Sequence, residues 1–142
     1  MTKLRFPRFL TVQEVLDIQQ AVVSEHGGSF GLRDPSMLDS AVHTPQATFG
    51  SEWLYPSLFD MAAAYLIHLA LNHPFVDGNK RTAWVSMRIF LRLNGFRLKP
   101  RRKDAVQLVV HIAEGQMRDW RQVSEWIAQR AEETPSAGRA PR

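Results

Sequence analysis

The fold of this chain is decided by residues 57–95, SLFDMAAAYLIHLALNHPFVDGNKRTAWVSMRIFLRLNG. Ser57 to Leu71 is apolar nearly all round the helical wheel, which predicts a central helix packed on several sides. That helix is expected to stop before Pro74, which lacks an amide donor, and Gly78, which is a poor helix former. A second apolar helix is predicted from about Asn79 to Asn94. The segment therefore predicts two buried helices joined by a short polar loop.

Shorter amphipathic helices are predicted on both sides of this pair, because apolar residues recur there at helical spacing. Two of them have clear start signals, a capping box in Thr11-Val-Gln-Glu14 and an Asp34 N-cap before Pro35. The sequence predicts a loop or short flap at 43–56 and an extended connector at Phe96–Pro100. The flanking helices are expected near 12–26, 35–41, 103–114 and 120–131, the last capped by Asp119. The fold class predicted is therefore all-α, a compact helical bundle.

The length and composition of the chain fit a single soluble domain. Its 142 residues, of which 44% are hydrophobic and 23% charged, are enough for one core and too few for two ordinary domains. Residues 1–131 are predicted to form that domain. Residues 132–142, which have two prolines and no large apolar side chain, are predicted to be a disordered C-terminal tail.

The sequence also bears on location and on partners. No apolar run approaches the roughly 20 residues that span a bilayer, and no secretory signal opens the chain, so a cytoplasmic protein without a membrane partner is expected. The net charge of +4 favours phosphate-bearing ligands but is mild for a nucleic-acid binder. The densest basic stretch, Arg92 to Lys103, contains Phe96 as its only aromatic residue, so it lacks stacking platforms for RNA. Nucleic-acid binding is not expected.

The loop HPFVDGNKR, residues 73–81, has the features of an anion site. Gly78 allows a ligand to approach the backbone closely. The amides of Asn79 and the residues after it begin a helix, so they lack intrahelical partners and lie at the positive end of the helix dipole. Lys80 and Arg81 add two permanent cations. These features together predict a phosphate site.

His73 and Asp77 supply more than phosphate binding requires. A histidine can accept a proton from an attacking hydroxyl, and a carboxylate beside phosphates is a natural Mg²⁺ ligand. The pair suits phosphoryl or nucleotidyl transfer, whereas Phe75 between them most simply anchors the loop in the core. Each residue alone also has a structural explanation, such as a turn or an N-cap, so the residues by themselves leave a purely structural loop open.

The loop closely resembles the active-site motif of the Fic superfamily, His-x-Phe-x-acidic-small-Asn-x-Arg. Lys80, followed by Arg81-Thr-Ala83, is similar to the Doc branch, the death-on-curing toxins. Three further stretches are also similar to Doc proteins, so the resemblance extends over about residues 10–130. They are Gly31–Ala41, Tyr55–Phe59 and Phe90–Gly95.

The resemblance implies a compact helical fold in which the motif loop joins two central helices. It implies that His73 is the general base, that Asp77 holds Mg²⁺ and that Phe75 packs beneath the loop. The nucleotide phosphates would be held by Gly78, Asn79, Lys80 and Arg81. It further implies a toxin that transfers the γ-phosphate of ATP to a threonine of elongation factor Tu and arrests translation. Its usual partner would be a small antitoxin of the Phd type or a functional analogue.

Two positions bear on which reaction is catalysed. AMP-transferring Fic enzymes usually have glycine in place of Lys80 and a second arginine in place of Trp84. Both departures are shared with Doc, so phosphoryl transfer is favoured over AMP transfer. Arg88, one turn farther on, is a candidate replacement for the missing arginine, although a solvated basic face is the commoner fate of helix arginines. AMP transfer to protein remains the alternative function, and a catalytically idle nucleotide- or partner-binding domain is the second alternative.

Overall fold

The computed structural model describes residues 6–135. Within them lie six α-helices: α1 Val12–His26, α2 Pro35–His43, α3 Leu58–Asn72, α4 Asn79–Leu93, α5 Arg102–Ala113 and α6 Trp120–Arg130. Four short strands accompany them: β1 Thr48–Phe49, β2 Glu52–Trp53, β3 Phe96–Leu98 and β4 Ala131–Glu133. The prediction of an all-α bundle is confirmed, and two small antiparallel sheets are added to it.

Helix α3 lies at the centre because it has no continuous polar face to present to solvent. All of its residues from Met61 to Ala70 are buried, except for the half-buried His68. Helices α4 and α6 pack along it, and α2 and α5 cover further sides. On the α6 side, Val123 and Ile127 are fully buried, and the Ser124 hydroxyl donates a hydrogen bond to Asp60 Oδ1 at 2.6 Å. None of the helices in the described part of the chain is long and apolar enough to cross a membrane.

The helix starts agree with the capping signals in the sequence. Thr11 and Glu14 form a reciprocal capping box before α1, and the Asp34 carboxylate accepts backbone hydrogen bonds at the start of α2. Asp119 does the same for α6, and Ser57 opens a second capping box before α3. Each of these side chains accepts hydrogen bonds from amides that the first helical turn leaves unpaired. Local chemistry therefore sets where these helices begin.

The stretch 43–56, predicted to be a loop or flap, has defined local structure. A 3₁₀ turn covers Thr44–Gln46, and β1 and β2 then form an antiparallel hairpin with Gly50 at its turn, where φ is +65°. Trp53 of this hairpin packs against Phe9, with 5.5 Å between the ring centroids. The hairpin is therefore attached to the segment that precedes α1.

The chain remains ordered beyond residue 132, where the sequence predicts the start of a disordered tail. Strand β4 pairs with β3, with Glu133 opposite Phe96, and the amide of Thr134 donates to the carbonyl of Gly95 at 2.9 Å. The sequence does not reveal this strand because its partner lies far away along the chain, and composition alone does not indicate such pairing. The rest of the predicted tail, residues 136–142, lies outside the described residues.

Strand β4 also neutralises part of the basic stretch. The carboxylate of Glu132 lies 3.2 Å from Arg97 and 3.3 Å from Lys99, and these two cations lower the pKa of Glu132. Arg101 and Arg102 at the start of α5 are exposed. The positive charge of this basic stretch is thus partly compensated by an acidic residue of β4.

Candidate active site

The motif loop begins and ends with left-handed residues. His73 follows α3 with φ 48° and ψ 54°, and Gly78 precedes α4 with φ 75° and ψ 21°. These conformations turn the backbone sharply at both ends of residues 74–77 and let α4 fold back on α3. His73, which is not a glycine, is held in this uncommon conformation by its neighbours.

Arg33 fixes the end of α3. Its Nε donates to the carbonyl of His73 at 2.6 Å, and its Nη2 donates to the carbonyl of Asn72 at 2.9 Å. These carbonyls lie at the negative end of the helix dipole, where a cation is stabilising. His73 itself remains exposed, so its imidazole is accessible from solvent.

The middle of the loop is attached to the segment that leads into α2. Phe75 is 1% exposed and forms an isolated antiparallel bridge with Leu32. The amide of Val76 donates to the carbonyl of Gly31 at 3.1 Å, and the amide of Arg33 donates to the carbonyl of Pro74 at 2.7 Å. The loop backbone is therefore hydrogen-bonded as well as anchored by a buried ring.

Asn79 closes the loop with its side chain. Its Oδ1 accepts from the amide of Phe75 and its Nδ2 donates to the carbonyl of Phe75, both at 2.9 Å. The sequence predicts that Asn79 binds phosphate, but its side chain and its backbone amide have different roles. The side chain holds the loop, and the backbone amide at the start of α4 is the group that remains for an anion.

Asp77 is exposed, and one oxygen of its carboxylate is engaged. Oδ2 accepts a hydrogen bond from the amide of Ser29 at 2.8 Å, whereas Oδ1 accepts none from residues 6–135. The backbone carbonyl of Asp77 accepts from Gln19 Nε2 at 3.0 Å. A carboxylate with one oxygen fixed and one free is suited to binding a cation through a single oxygen.

Gln19 is a site residue that the sequence analysis did not identify. It lies on α1 with no exposed surface, and its Nε2 also donates to the carbonyl of Ser29 at 3.2 Å. A signal was present in the sequence, because Gln19 lies four residues after Val15 and three before Val22. Those positions place its polar side chain on the buried face of an amphipathic helix.

The start of α4 has the features expected of an anion site. No side chain caps its first amides within the described residues, and Lys80 and Arg81 in the first turn are both exposed. A Cβ at Gly78 would lie 3.3 Å from Val23 Cγ1 and 3.4 Å from Val22 Cγ1. Glycine therefore leaves room for α4 to begin close to α1, and it also tolerates the φ of +75° without strain. Unpaired amides, the helix dipole and two cations together favour a bound phosphate.

The next turns of α4 contribute no arginine to the loop. Trp84 is half-buried and packs edge-on against Trp126 of α6, with 6.2 Å between the ring centroids. Arg88 Nη2 lies 3.4 Å from the carbonyl of Leu98, and its Cζ lies 5.9 Å from the Trp84 ring. Because Leu98 follows the carboxyl end of α4, Arg88 points away from the motif loop. The hypothesis that Arg88 replaces the missing arginine is not supported.

Comparison with known proteins identifies the family to which this chain is similar. The model of the Fic/DOC family matches residues 9–91, from the segment before α1 almost to the end of α4. The chain belongs to the Fic/DOC family. This confirms the resemblance inferred from the motif, and the family match includes both helices that flank the loop.

Two curated relatives are similar to this Fic/DOC chain. Toxin Doc of Mycolicibacterium smegmatis is 49% identical over 82 residues, which are 58% of this chain and 63% of that protein. Protein kinase doc of Escherichia phage P1 is 36% identical over 88 residues, which are 62% of this chain and 69% of that protein. The match with the mycobacterial toxin thus covers less than two thirds of that protein's length.

Proposed function

We propose that this chain is a Doc-type toxin and a protein kinase that transfers the γ-phosphate of ATP to a hydroxyl of a translation factor. A threonine of elongation factor Tu is the first candidate acceptor. The observation that carries the proposal is the complete motif at the uncapped start of α4, with His73 and Asp77 exposed beside it. The two relatives, one named a toxin and one named a protein kinase, support the same class.

The site residues fit a nucleotide with a divalent cation. The first amides of α4 and the cations Lys80 and Arg81 would bind the phosphates. Asp77 keeps Oδ1 free for Mg²⁺, which usually takes one or two carboxylates together with phosphate oxygens. When bound, Mg²⁺ would neutralise phosphate charge. The protein groups then position the donor, which is the larger part of catalysis in phosphoryl transfer.

In the proposed reaction, His73 is the general base that accepts the proton of the acceptor hydroxyl. The acceptor hydroxyl oxygen bonds to the γ-phosphorus, and the bond from that phosphorus to the β–γ bridging oxygen breaks. The hydroxyl proton passes to the imidazole of His73, and ADP leaves. Exposure of the imidazole at the end of α3 supports this role, because an acceptor side chain on another protein has to reach it.

Phosphate transfer is proposed over AMP transfer because of Lys80 and the two positions on α4 beyond the motif. Trp84 packs against Trp126, and Arg88 is hydrogen-bonded at the far end of α4, so neither supplies a further cation for terminal phosphates. A nucleotide in the AMP-transferring orientation would lose that contact and meet the Lys80 side chain. These observations support a donor orientation that presents the γ-phosphate.

The reaction type is tested with labelled nucleotide. The protein is incubated with Mg²⁺, elongation factor Tu and either γ-labelled or α-labelled ATP. We expect label on the factor from γ-labelled ATP only, and an intact-mass increase of about 80 Da rather than the roughly 329 Da of AMP. Transfer of α-label would establish the AMP-transferase alternative instead.

The role of catalysis in toxicity is tested in growing cells. Induction of the wild type is expected to stop growth, and His73→Ala or Asp77→Ala is expected to restore it. Matched controls are His43→Ala and Asp17→Ala, which change an exposed histidine and an exposed aspartate away from the loop and should leave toxicity unchanged. Undiminished toxicity of both motif variants would favour the idle-binding alternative.

A small antitoxin is the proposed partner. Exposed apolar side chains lie both within and beside the motif loop: Val76 in the loop, and Phe30 and Leu32 in the segment next to it, with exposed fractions of 49%, 54% and 38%. Grouped apolar surface of this kind beside a catalytic loop is typical of a protein-binding site. Co-expression of the antitoxin should restore growth, and Phe30→Ser should weaken that rescue without reducing toxicity in its absence.

A further inference from the structure

A closed ring of hydrogen bonds holds Asp77. The amide of Ser29 donates to Asp77 Oδ2 at 2.8 Å, and Gln19 Nε2 donates to the carbonyls of Asp77 and Ser29 at 3.0 and 3.2 Å. The ring joins three separate segments: α1, the segment Gly27–Ser29 that follows it, and the motif loop. The orientation of the Asp77 carboxylate relative to α4 is therefore set from α1.

We propose that Gln19 is a positioning residue for the Asp77 carboxylate. By holding the carbonyls of Ser29 and Asp77 together, it aligns the Ser29 amide with Oδ2 and leaves Oδ1 to bind the cation of the nucleotide complex. The inference rests on the proposed function, because it assumes that a divalent cation and a nucleotide bind together at this loop. It assigns the metal affinity of the site partly to a buried residue that contacts neither ligand.

The energetics of burial favour this role over simple packing. Gln19 has no exposed surface, and its Oε1 has no hydrogen-bond partner among the described residues. An unpaired buried oxygen costs free energy that leucine or methionine of similar volume would avoid. What a glutamine supplies here, and an apolar residue cannot, is a donor to two carbonyls at once. Its contribution is therefore to the geometry of the loop.

Two adjacent glycines provide an independent test of the same ring. A Cβ at Gly28 would lie 3.1 Å from the Cβ of Asp77, whereas a Cβ at Gly27 would have no atom within 4 Å. Both residues have positive φ, +113° and +93°, so alanine strains the backbone at either position. Only Gly28→Ala also displaces Asp77. Gly27→Ala is thus the matched control for Gly28→Ala.

Metal binding is measured directly, apart from catalysis. Mn²⁺ is titrated into the full chain in the presence of the non-hydrolysable nucleotide AMP-PNP and followed by electron paramagnetic resonance. Binding of AMP-PNP without metal is measured separately by calorimetry. Gln19→Met and Gly28→Ala are expected to weaken Mn²⁺ binding about tenfold, as loss of a group that orients a metal ligand commonly does. Gly27→Ala should stay within about twofold of the wild type, and metal-free AMP-PNP binding should be unchanged in all three.

Each outcome decides between the two proposals. Wild-type affinity for Mn²⁺ in Gln19→Met and Gly28→Ala would overturn the positioning role and leave the proposed function intact. A wild-type protein that binds no Mn²⁺ with AMP-PNP would overturn both. A purely structural Gln19 would lower the thermal midpoint and weaken metal-free nucleotide binding equally, without selective loss of metal. If Gln19→Met fails to fold, the comparison of Gly28→Ala with Gly27→Ala decides.

Discussion

Asn79 and Lys80 are adjacent in the motif, and the structure gives their side chains different environments. The Asn79 side chain makes two hydrogen bonds across the loop to Phe75, whereas Lys80 is exposed. We expect Asn79→Ala to lower the free energy of unfolding by about 1–3 kcal/mol, since each net hydrogen bond contributes roughly 0.5–1.5 kcal/mol. Lys80→Ala should change it by less than about 0.5 kcal/mol while weakening nucleotide binding.

Urea denaturation of the two variants checks this contrast, with calorimetry for nucleotide affinity. Equal unfolding midpoints for Asn79→Ala and the wild type would contradict the assignment of the Asn79 side chain to loop closure. The comparison also separates two roles that the motif alone does not distinguish, namely building the loop and binding the ligand.

The sequence indicated some candidate site residues and not others. His73 and Asp77 could be proposed from the sequence because their chemistry is explicit in a short motif. Gln19 was missed, because its partners Ser29 and Asp77 lie 10 and 58 residues away and only the fold brings them together. Local spacing predicts which face of a helix a residue occupies. It does not predict which loop that face will meet.

At the scale of elements, the start of α4 depends on a glycine for two reasons. Gly78 has φ +75°, and a Cβ there would lie 3.3 Å from Cγ1 of Val23 on α1, which is a tight contact. Gly50 in the β1–β2 turn has a similar φ of +65° but no atom within 4 Å of such a Cβ. Left-handed backbone costs an L-residue about 1–2 kcal/mol at either position. Gly78→Ala should therefore lower the free energy of unfolding more than Gly50→Ala.

Chemical denaturation of the two alanine variants measures the difference directly. Equal losses would mean that α4 can shift from α1 without cost. A larger loss for Gly78→Ala would show that the approach of the two helices is part of what positions the anion site.

The pairing of β4 with β3 predicts how truncation at the carboxyl end changes thermal stability. A chain that ends after Pro135 keeps the pairing of β3 with β4 and the ion pairs of Glu132. A chain that ends after Arg130 loses both and uncovers one side of β3. We expect the first truncation to keep the wild-type thermal midpoint and the second to lower it by several degrees, as a loss of about 1 kcal/mol does in a domain of this size.

Calorimetry on the two truncated chains provides the check, and identical midpoints would mean that β4 adds no stability. The contrast between element types explains why the helices were predicted better than this strand. Caps such as Ser57 and Asp119 act within a few residues of the turn they stabilise, whereas β4 exists only because Phe96–Leu98 lies alongside it.

At the scale of the whole molecule, two titrating groups change stability in the same direction as the pH falls. Hydrogen bonds from Arg8 and then from the amide of Thr11 lower the pKa of Glu14 to about 2, and burial lowers the pKa of His68 on α3. In each case the unfolded chain binds protons more readily than the folded one. Stability must therefore fall as pH decreases, first below the ordinary pKa of histidine and then below that of glutamate.

Urea midpoints measured between about pH 7.5 and about pH 3 should follow this two-stage decline. His68→Gln should remove most of the first stage, and Glu14→Gln should reduce the second. Glu14→Gln is also expected to lower stability at neutral pH, because Arg8 then loses its ion-pair partner. A midpoint that does not change across the acidic range would contradict the directions given for both groups.

The coverage of α3 by α6 has a consequence for synthesis on the ribosome. The motif, α1 and the segment that braces Asp77 all lie within the first 81 residues, but α6 begins only at Trp120. A nascent chain therefore carries every residue of the motif while one side of its central helix is still uncovered. At about 5–20 residues per second, this incomplete state lasts for seconds in each round of translation. Completion of α6 is thus the step that ends the exposure of this apolar surface of α3.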